Sequence, residues 1–160
     1  MEQGLPVYWL STGDTIPETR AVLDQVRTWV PDLRTVQTDV LAWKAAHGIP
    51  SDVTTAQSSW IGQAYGMSDT PLVGRMDCCV ANLMQPMHQR MLADGIEVVI
   101  RGTKLADTGQ VPARGPGDAY EVLLPLLHWS HDQVFQFLQA VGAPRNAVYD
   151  TFRAISAPEC

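Results

Sequence analysis

The chain has 160 residues, of which 46% are apolar and 18% charged, with a net charge of −6 and a pI near 5.0. That balance is globular rather than disordered, and it argues against a broad nucleic-acid surface while leaving room for a local basic pocket. The length suits a single domain over 1–160, able to bury roughly two thirds of its unfolded surface.

No apolar run approaches the roughly 18 residues of a membrane span. Met1 to Leu10 has neither the basic start nor the long apolar core of a secretory signal. Three cysteines are too few and too oddly placed for a secreted disulfide scaffold. The expected compartment is the cytoplasm, with no membrane partner.

Val7-Tyr-Trp-Leu10 reads as a buried strand, ended by the loop Ser11-Thr-Gly-Asp14. Pro17 suits a first helical turn that Thr15 or Asp14 can cap, and Ala21, Val22, Val26 and Trp29 carry helical spacing up to Pro31. Leu33 to Gln37 alternates as a second strand. Leu41 to Ala46 follows as a short helix, closed by Gly48 and Pro50. The stretch 51–70, rich in Ser, Thr, Gly and Gln, reads as loop with a short helix around Trp60.

In the second half, Leu83, Met84, Met87, Met91 and Leu92 stand at core spacing on a helix over 81–92. Ile96-Glu-Val-Val-Ile100 is the strongest strand signal. A Gly- and Pro-rich loop precedes a short strand over Glu121–Leu124. Ser130 and Gln133 then form a capping box at the start of a helix that Gly142 stops, and a last short helix spans Asn146–Phe152. Strands alternating with helices predict an α/β protein with a mainly parallel sheet, whose ligands bind beyond the carboxyl ends of the strands. The loops Ser11–Pro17 and Arg101–Arg114 leave strand ends and are expected to line one crevice.

Three groups of residues could do chemistry. Gly13 allows close approach of a ligand, and the helix start after it offers N–H groups to an anion; a plain capped turn explains the same residues. Arg101, Lys104 and Arg114 set three cations near one strand end, suited to phosphate or sulfate; a solvated loop is the competing reading. Arg101 directly follows a strand expected to be buried, where a charge needs a reason.

Cys78 and Cys79 are neighbours, which disulfide geometry does not suit, so they could share a metal, a cluster or the distant Cys160. Buried thiols are the alternative. A helix start at the pair would lower thiol pKa. His128 and His131 straddle the Ser130 cap and read as exposed or core histidines rather than a metal site.

Five segments in order resemble the phosphoadenylyl-sulfate reductase family of the adenine-nucleotide α-hydrolase-like group. Tyr8-Trp-Leu-Ser-Thr-Gly-Asp-Thr-Ile-Pro-Glu-Thr19 resembles its strand ending in Asp-Thr-Gly and then Phe-Pro-Glu-Thr. Cys78-Cys79 resembles its Cys-Cys segment. Ile100-Arg-Gly-Thr-Lys104 with Asp107 and Arg114 resembles its Gly-x-Arg-Arg loop. Leu124 to Val134 resembles its Pro-x-x-x-Trp-Thr-x-x-Asp-Val stretch, and Asn146 to Tyr149 its Asn-x-x-Tyr, ahead of a Cys-x-x-Cys that would begin at Cys160.

The resemblance implies a Rossmann-like parallel sheet with helices on both faces. It also implies a chain incomplete at both ends, since the family's first strand and its Ser-Gly-Gly-Lys-Asp-Ser phosphate loop have no counterpart here. Strand edges left unpaired by that gap would invite a homo-oligomer. By resemblance, Thr12, Gly13 and Asp14 face the nucleotide of an adenylyl sulfate, and Arg101, Lys104 and Arg114 hold its anionic end. Cys78, Cys79 and Cys160 hold a [4Fe–4S] cluster whose fourth ligand lies elsewhere; no flavin or nicotinamide is expected. The implied activity is reductive release of sulfite, with a thioredoxin-like reductant as partner. Sulfur insertion into nucleic acid and a non-catalytic nucleotide-binding or interaction module are the alternatives. The resemblance assigns no catalytic residue.

Overall fold

A computed structural model describes residues 4–52, 60, 64–65, 72–108 and 114–151. In chain order the elements are strand β1 (Val7–Ser11), helix α1 (Pro17–Trp29), β2 (Leu33–Gln37), α2 (Val40–His47), β3 (Ile49–Ser51) and β4 (Leu72–Gly74). There follow α3 (Arg75–Cys79), a π-helical turn (Val80–Met84), α4 (Gln85–Ala93), β5 (Val98–Ile100), α5 (Leu105–Thr108), a 3₁₀ turn (Pro116–Asp118), β6 (Glu121–Leu123), α6 (His131–Ala140) and α7 (Val148–Thr151). The chain divides into two compact units, Met1–Gln89 with Asn146–Cys160, and Arg90–Arg145. The helix expected around Trp60 lies largely outside the described residues.

In the first unit β1 and β2 pair in parallel, Val7 opposite Leu33 through Ser11 opposite Gln37. Arg34 fixes this register: its guanidinium reaches Tyr8 Oη at 3.0 Å while Asp32 holds it by two hydrogen bonds of 2.9 Å. Helix α1 joins the two strands and buries Leu23, and Val40, the most deeply buried large side chain at 1% exposure, opens α2. Asp39 caps α2 by accepting from the Ala42 N–H at 2.9 Å, and Gly48 closes it at φ 110°. Asn146 ties the far end of the chain back to this unit, donating to Thr19 Oγ1 at 2.8 Å and accepting from the N–H of Val148 at the start of α7.

The short parallel pair β3–β4 was not foreseen. Its strands have three residues each, and Pro50 within β3 breaks the alternation that signals a strand.

In the second unit β5 and β6 pair in parallel, Val98 opposite Glu121 through Ile100 opposite Leu123. Val122 is buried and Val99 half-buried on one face, whereas Val98, Ile100 and Leu123 are exposed on the other. The strand before Arg101 is therefore half-covered, which corrects the expectation of full burial. The Ser130 capping box forms as expected, with the Gln133 N–H donating to Ser130 Oγ at 3.2 Å and the Ser130 N–H to Gln133 Oε1 at 2.7 Å.

Among the described residues all three strand pairs are parallel, and helices lie between β1 and β2 and between β5 and β6, so the α/β expectation holds. No helix among them is long and apolar enough to cross a membrane. The methionine row departs from expectation: Met91 is buried, but Met84 and Leu92 are exposed by 54% and 47%. The physical cause is the π-helical turn, where the Gln85 N–H donates to the Val80 carbonyl five residues back. That wider turn shifts the helical phase on which the spacing argument rested.

Gly115 sits against the ring of the buried Tyr120, which a Cβ at that position would penetrate. Gly115→Ala is expected to lower stability by about 1–3 kcal/mol through overpacking, read as a fall in denaturation midpoint; an unchanged midpoint would contradict this packing.

Candidate functional site

The loop after β1 is held from one side by the chain leading into α2. Ser11 O accepts from the Thr38 N–H at 2.8 Å and Thr12 O from the Val40 N–H at 2.9 Å. Gly13 takes φ +92°, and a Cβ there would stand 3.4 Å from Thr38 O, so the turn needs glycine.

Thr12 Oγ1 donates to Asp14 Oδ1 at 2.6 Å, and the other Asp14 oxygen lies 3.6 Å from Lys44 Nζ. These bonds draw Asp14 away from α1. The N-cap is Ile16, which makes no side-chain cap bond, and Pro17 follows at the first helical position. The expected capping by Thr15 or Asp14 is thereby corrected.

Beside this loop lies a cleft of about 400 Å³, lined among others by Trp9, Ser11, Gly13, Arg20, Arg27 and Gln37. Ser11 and Gln37 are opposite one another at the carboxyl ends of β1 and β2. Arg20 and Arg27, two turns apart on α1, share its cleft face with Leu23 and Asp24. Sequence reasoning passed over both arginines. The heptad separation from Arg20 to Arg27 was the available signal.

Cys78 and Cys79 lie inside α3, which begins at Arg75, before the pair and not at it. Cys78 is buried and Cys79 half-buried. Asn82, itself 4% exposed, donates from Nδ2 to Cys78 O at 3.1 Å and to Cys78 Sγ at 3.7 Å. Thr38 Oγ1 donates to Asn82 O at 3.1 Å. Cys160 lies outside the described residues. Among the described residues no group of three or more His, Cys, Asp or Glu side chains is gathered to hold a metal ion.

In the second unit, the Arg101 N–H extends the β5–β6 ladder by donating to Leu123 O at 2.9 Å, and Leu105 N donates to Leu127 O. Between these anchors Lys104 is buried, its Nζ 3.0 Å from Asp107 Oδ2. The same oxygen accepts the Lys104 backbone N–H at 3.1 Å. The two Lys104 hydrogen bonds hold the Asp107 carboxyl below its ordinary value of 3.8, with smaller pulls from the charges of Lys104 and His131. His131 Nε2 lies 3.7 Å from Asp107 Oδ1.

Arg101 is exposed and has no ion-pair partner among the described residues. Arg114 stands at the amino end of the ladder, bridged to Glu121 and 3.6 Å from its carboxylate. Arg101 and Lys104 follow the carboxyl end, so the three expected cations do not share one end of this strand pair.

No protein-family model matches the chain, and no curated protein does. Among solved structures the chain is similar to a phosphoadenylyl-sulfate (PAPS) reductase from Candida auris, crystallised as a phosphate complex. The TM-score is 0.55 at 18% identity, and the likeness covers 91% of this chain and 66% of that one. The chain has the PAPS reductase-like fold.

A folded-state pKa below the ordinary one means that the Lys104–Asp107 contribution is complete above about pH 4 and is lost as pH falls through the lowered value. Asp107→Asn is expected to cost about 1 kcal/mol at neutral pH, because the amide oxygen can still accept from Lys104 while the counter-charge of a partly exposed pair is lost, and to flatten the acid limb of the stability curve. A variant as stable as the parent chain, with an unaltered acid limb, would show that the pair does not hold the loop.

Proposed function

We propose that this chain binds an adenylyl sulfate and serves its reductive cleavage to sulfite. The observation that carries the reading is the extent of the fold likeness to a PAPS reductase, 91% of this chain, together with five family-like segments in the same order. In this reading the loop Thr12–Asp14 faces the nucleotide. Arg101, with no ion-pair partner among the described residues, supplies bidentate hydrogen bonds to a sulfate or phosphate oxygen pair. Lys104, committed to Asp107, contributes charge and holds the loop; Arg114, at the other end of the strand pair beside Glu121, takes no part.

The chemistry is nucleophilic displacement at sulfur. A cysteine thiolate other than Cys78, Cys79 and Cys160, which are read as cluster ligands, attacks the sulfate sulfur and expels the nucleotide on its phosphate oxygen, leaving a cysteine S-sulfonate. A second thiol, from a thioredoxin-like reductant, attacks the cysteine sulfur. Sulfite leaves with the S–S bonding pair, and a disulfide holds the two electrons' worth of oxidation.

The amide donor on Cys78 Sγ suits a sulfur bearing negative charge, so Cys78 and Cys79 fit two thiolate positions of a [4Fe–4S] cluster, with Cys160 as a third. Such a cluster would supply a one-electron redox centre. Within this chain, Asn82 orients Cys78, and Thr38 fixes Asn82.

Two measurements test the reading. Sulfite should appear when an adenylyl sulfate and a dithiol are added to anaerobically purified protein; nucleotide binding without sulfite would leave a binding module only. Arg101→Ala is expected to weaken adenylyl-nucleotide binding about tenfold or more, since charge-assisted bonds are worth about 1.5–3 kcal/mol, with little change in melting temperature. Unchanged binding with a large loss of stability would make Arg101 structural.

A further inference from the structure

We propose that the chain self-associates through the open edge of β5, which pairs antiparallel with β5 of a second copy about a two-fold axis at Val99. The ladder to β6 uses Glu97 O, which accepts from the Glu121 N–H at 2.8 Å, and the Arg101 N–H, which donates to Leu123 O at 2.9 Å. Backbone groups alternate in direction along a strand, so Val98 and Ile100 turn their N–H and C=O groups to the opposite edge. No described residue takes them. The side chains of Val98 and Ile100 are open as well, at 47% and 58% exposure. An edge of this kind is a template for a further strand, and proteins guard such edges with proline or lysine. Ile96-Glu-Val-Val-Ile100 contains neither.

Charge decides what the edge receives. Glu97 and Arg101 are exposed, and neither has an ion-pair partner among the described residues. They flank Val99 symmetrically. Antiparallel pairing centred on Val99 therefore sets Glu97 opposite Arg101 of the second copy, and Arg101 opposite its Glu97. Both are non-hydrogen-bonded pairs, the closer kind, at about 4.5 Å between Cα atoms. Val98 and Ile100 of the second copy become a hydrogen-bonded pair that exchanges both backbone bonds, as do Ile100 and Val98 in return. Moving the axis to Val98 or Ile100 loses both ion pairs. Parallel pairing in register sets Glu97 beside Glu97 and Arg101 beside Arg101, which like charges oppose.

The contact is isologous and closes on itself, so it ends at a dimer. Val98, Ile100 and Leu123 share the exposed face of β5–β6, and the pairing joins them to the same face of the second copy. The inference does not rest on the adenylyl-sulfate reading. A guanidinium carries several N–H donors, so Arg101 can bridge to the second copy and still offer bonds to an anion.

The test is sedimentation equilibrium of the full chain over a series of protein concentrations. The parent chain should show a monomer–dimer equilibrium that salt weakens. Glu97→Arg and Arg101→Glu should each raise the dissociation constant about tenfold or more, because each sets like charges opposite one another. Mixing the two variants should restore the dimer, since each supplies the charge that the other lacks. Ile100→Pro blocks the edge without taking a bond from β6, because that N–H points outward. It should be monomeric with the far-UV circular dichroism of the parent.

A parent chain that stays monomeric at every concentration overturns the inference and leaves the edge to a strand of another protein. A dimer indifferent to Glu97→Arg and to Ile100→Pro overturns it too, as does a mixture of the two charge variants that remains monomeric. Adenylyl-nucleotide binding is read separately by titration, and its failure leaves the dimer standing.

Discussion

Thr38 is the residue on which the first unit's functional geometry depends. Its N–H closes on Ser11 O at 2.8 Å, and its hydroxyl donates to Asn82 O at 3.1 Å. One residue thus fixes the exit of β1, the entry to α2 and the π-helical turn that follows the two thiols. The loop Thr12–Asp14 is tied by the Val40 N–H on Thr12 O, by Thr12 on Asp14 and by Lys44 beside Asp14, so its course is set by the chain that leads into α2. A parallel strand pair makes this arrangement natural: both carboxyl ends emerge on one side, and backbone groups past the last ladder bond are left to pair with loops.

The second unit solves the same problem with charge. Lys104 is carried into a site with 11% side-chain exposure, which an ammonium tolerates only with its hydrogen bonds made. Asp107, three residues on within α5, accepts one of them and the Lys104 backbone N–H as well, closing the first turn of that helix. Pinning Lys104 leaves Arg101, next to the strand and without an ion-pair partner among the described residues, as the available cation. A loop with one committed and one uncommitted positive charge is well suited to capture an anion without collapsing on itself.

The sequence was most legible where local chemistry decides structure. The β-branched run before Arg101, the Ser130–Gln133 box and the Gly48 and Gly142 stops all express bonds made within a few residues. The loop around Gly13 was legible for the same reason: only glycine is at ease at that φ. Less was visible where the outcome depends on distant partners. Asp14 was read as a cap, yet Thr12 and Lys44 compete for it. The helix around the cysteines was placed too late, because Gly74 gives no side-chain cap to mark its start. The π-helical turn broke a methionine spacing that assumed a uniform 3.6-residue period. Arg20 and Arg27 were hidden as ordinary surface charges until the fold set α1 beside the ends of β1 and β2.

The proposed adenylyl-sulfate reading sets the loop Thr12–Asp14, held from behind by Thr38 and Val40, against the nucleotide. Amide and arginine side-chain NMR shifts, followed as adenosine 3′,5′-bisphosphate is added, test it most directly. The account predicts the largest shifts at Thr12, Gly13 and Asp14, saturating together with one affinity. Shifts absent from these groups, with saturable changes confined to other parts of the chain, would contradict it.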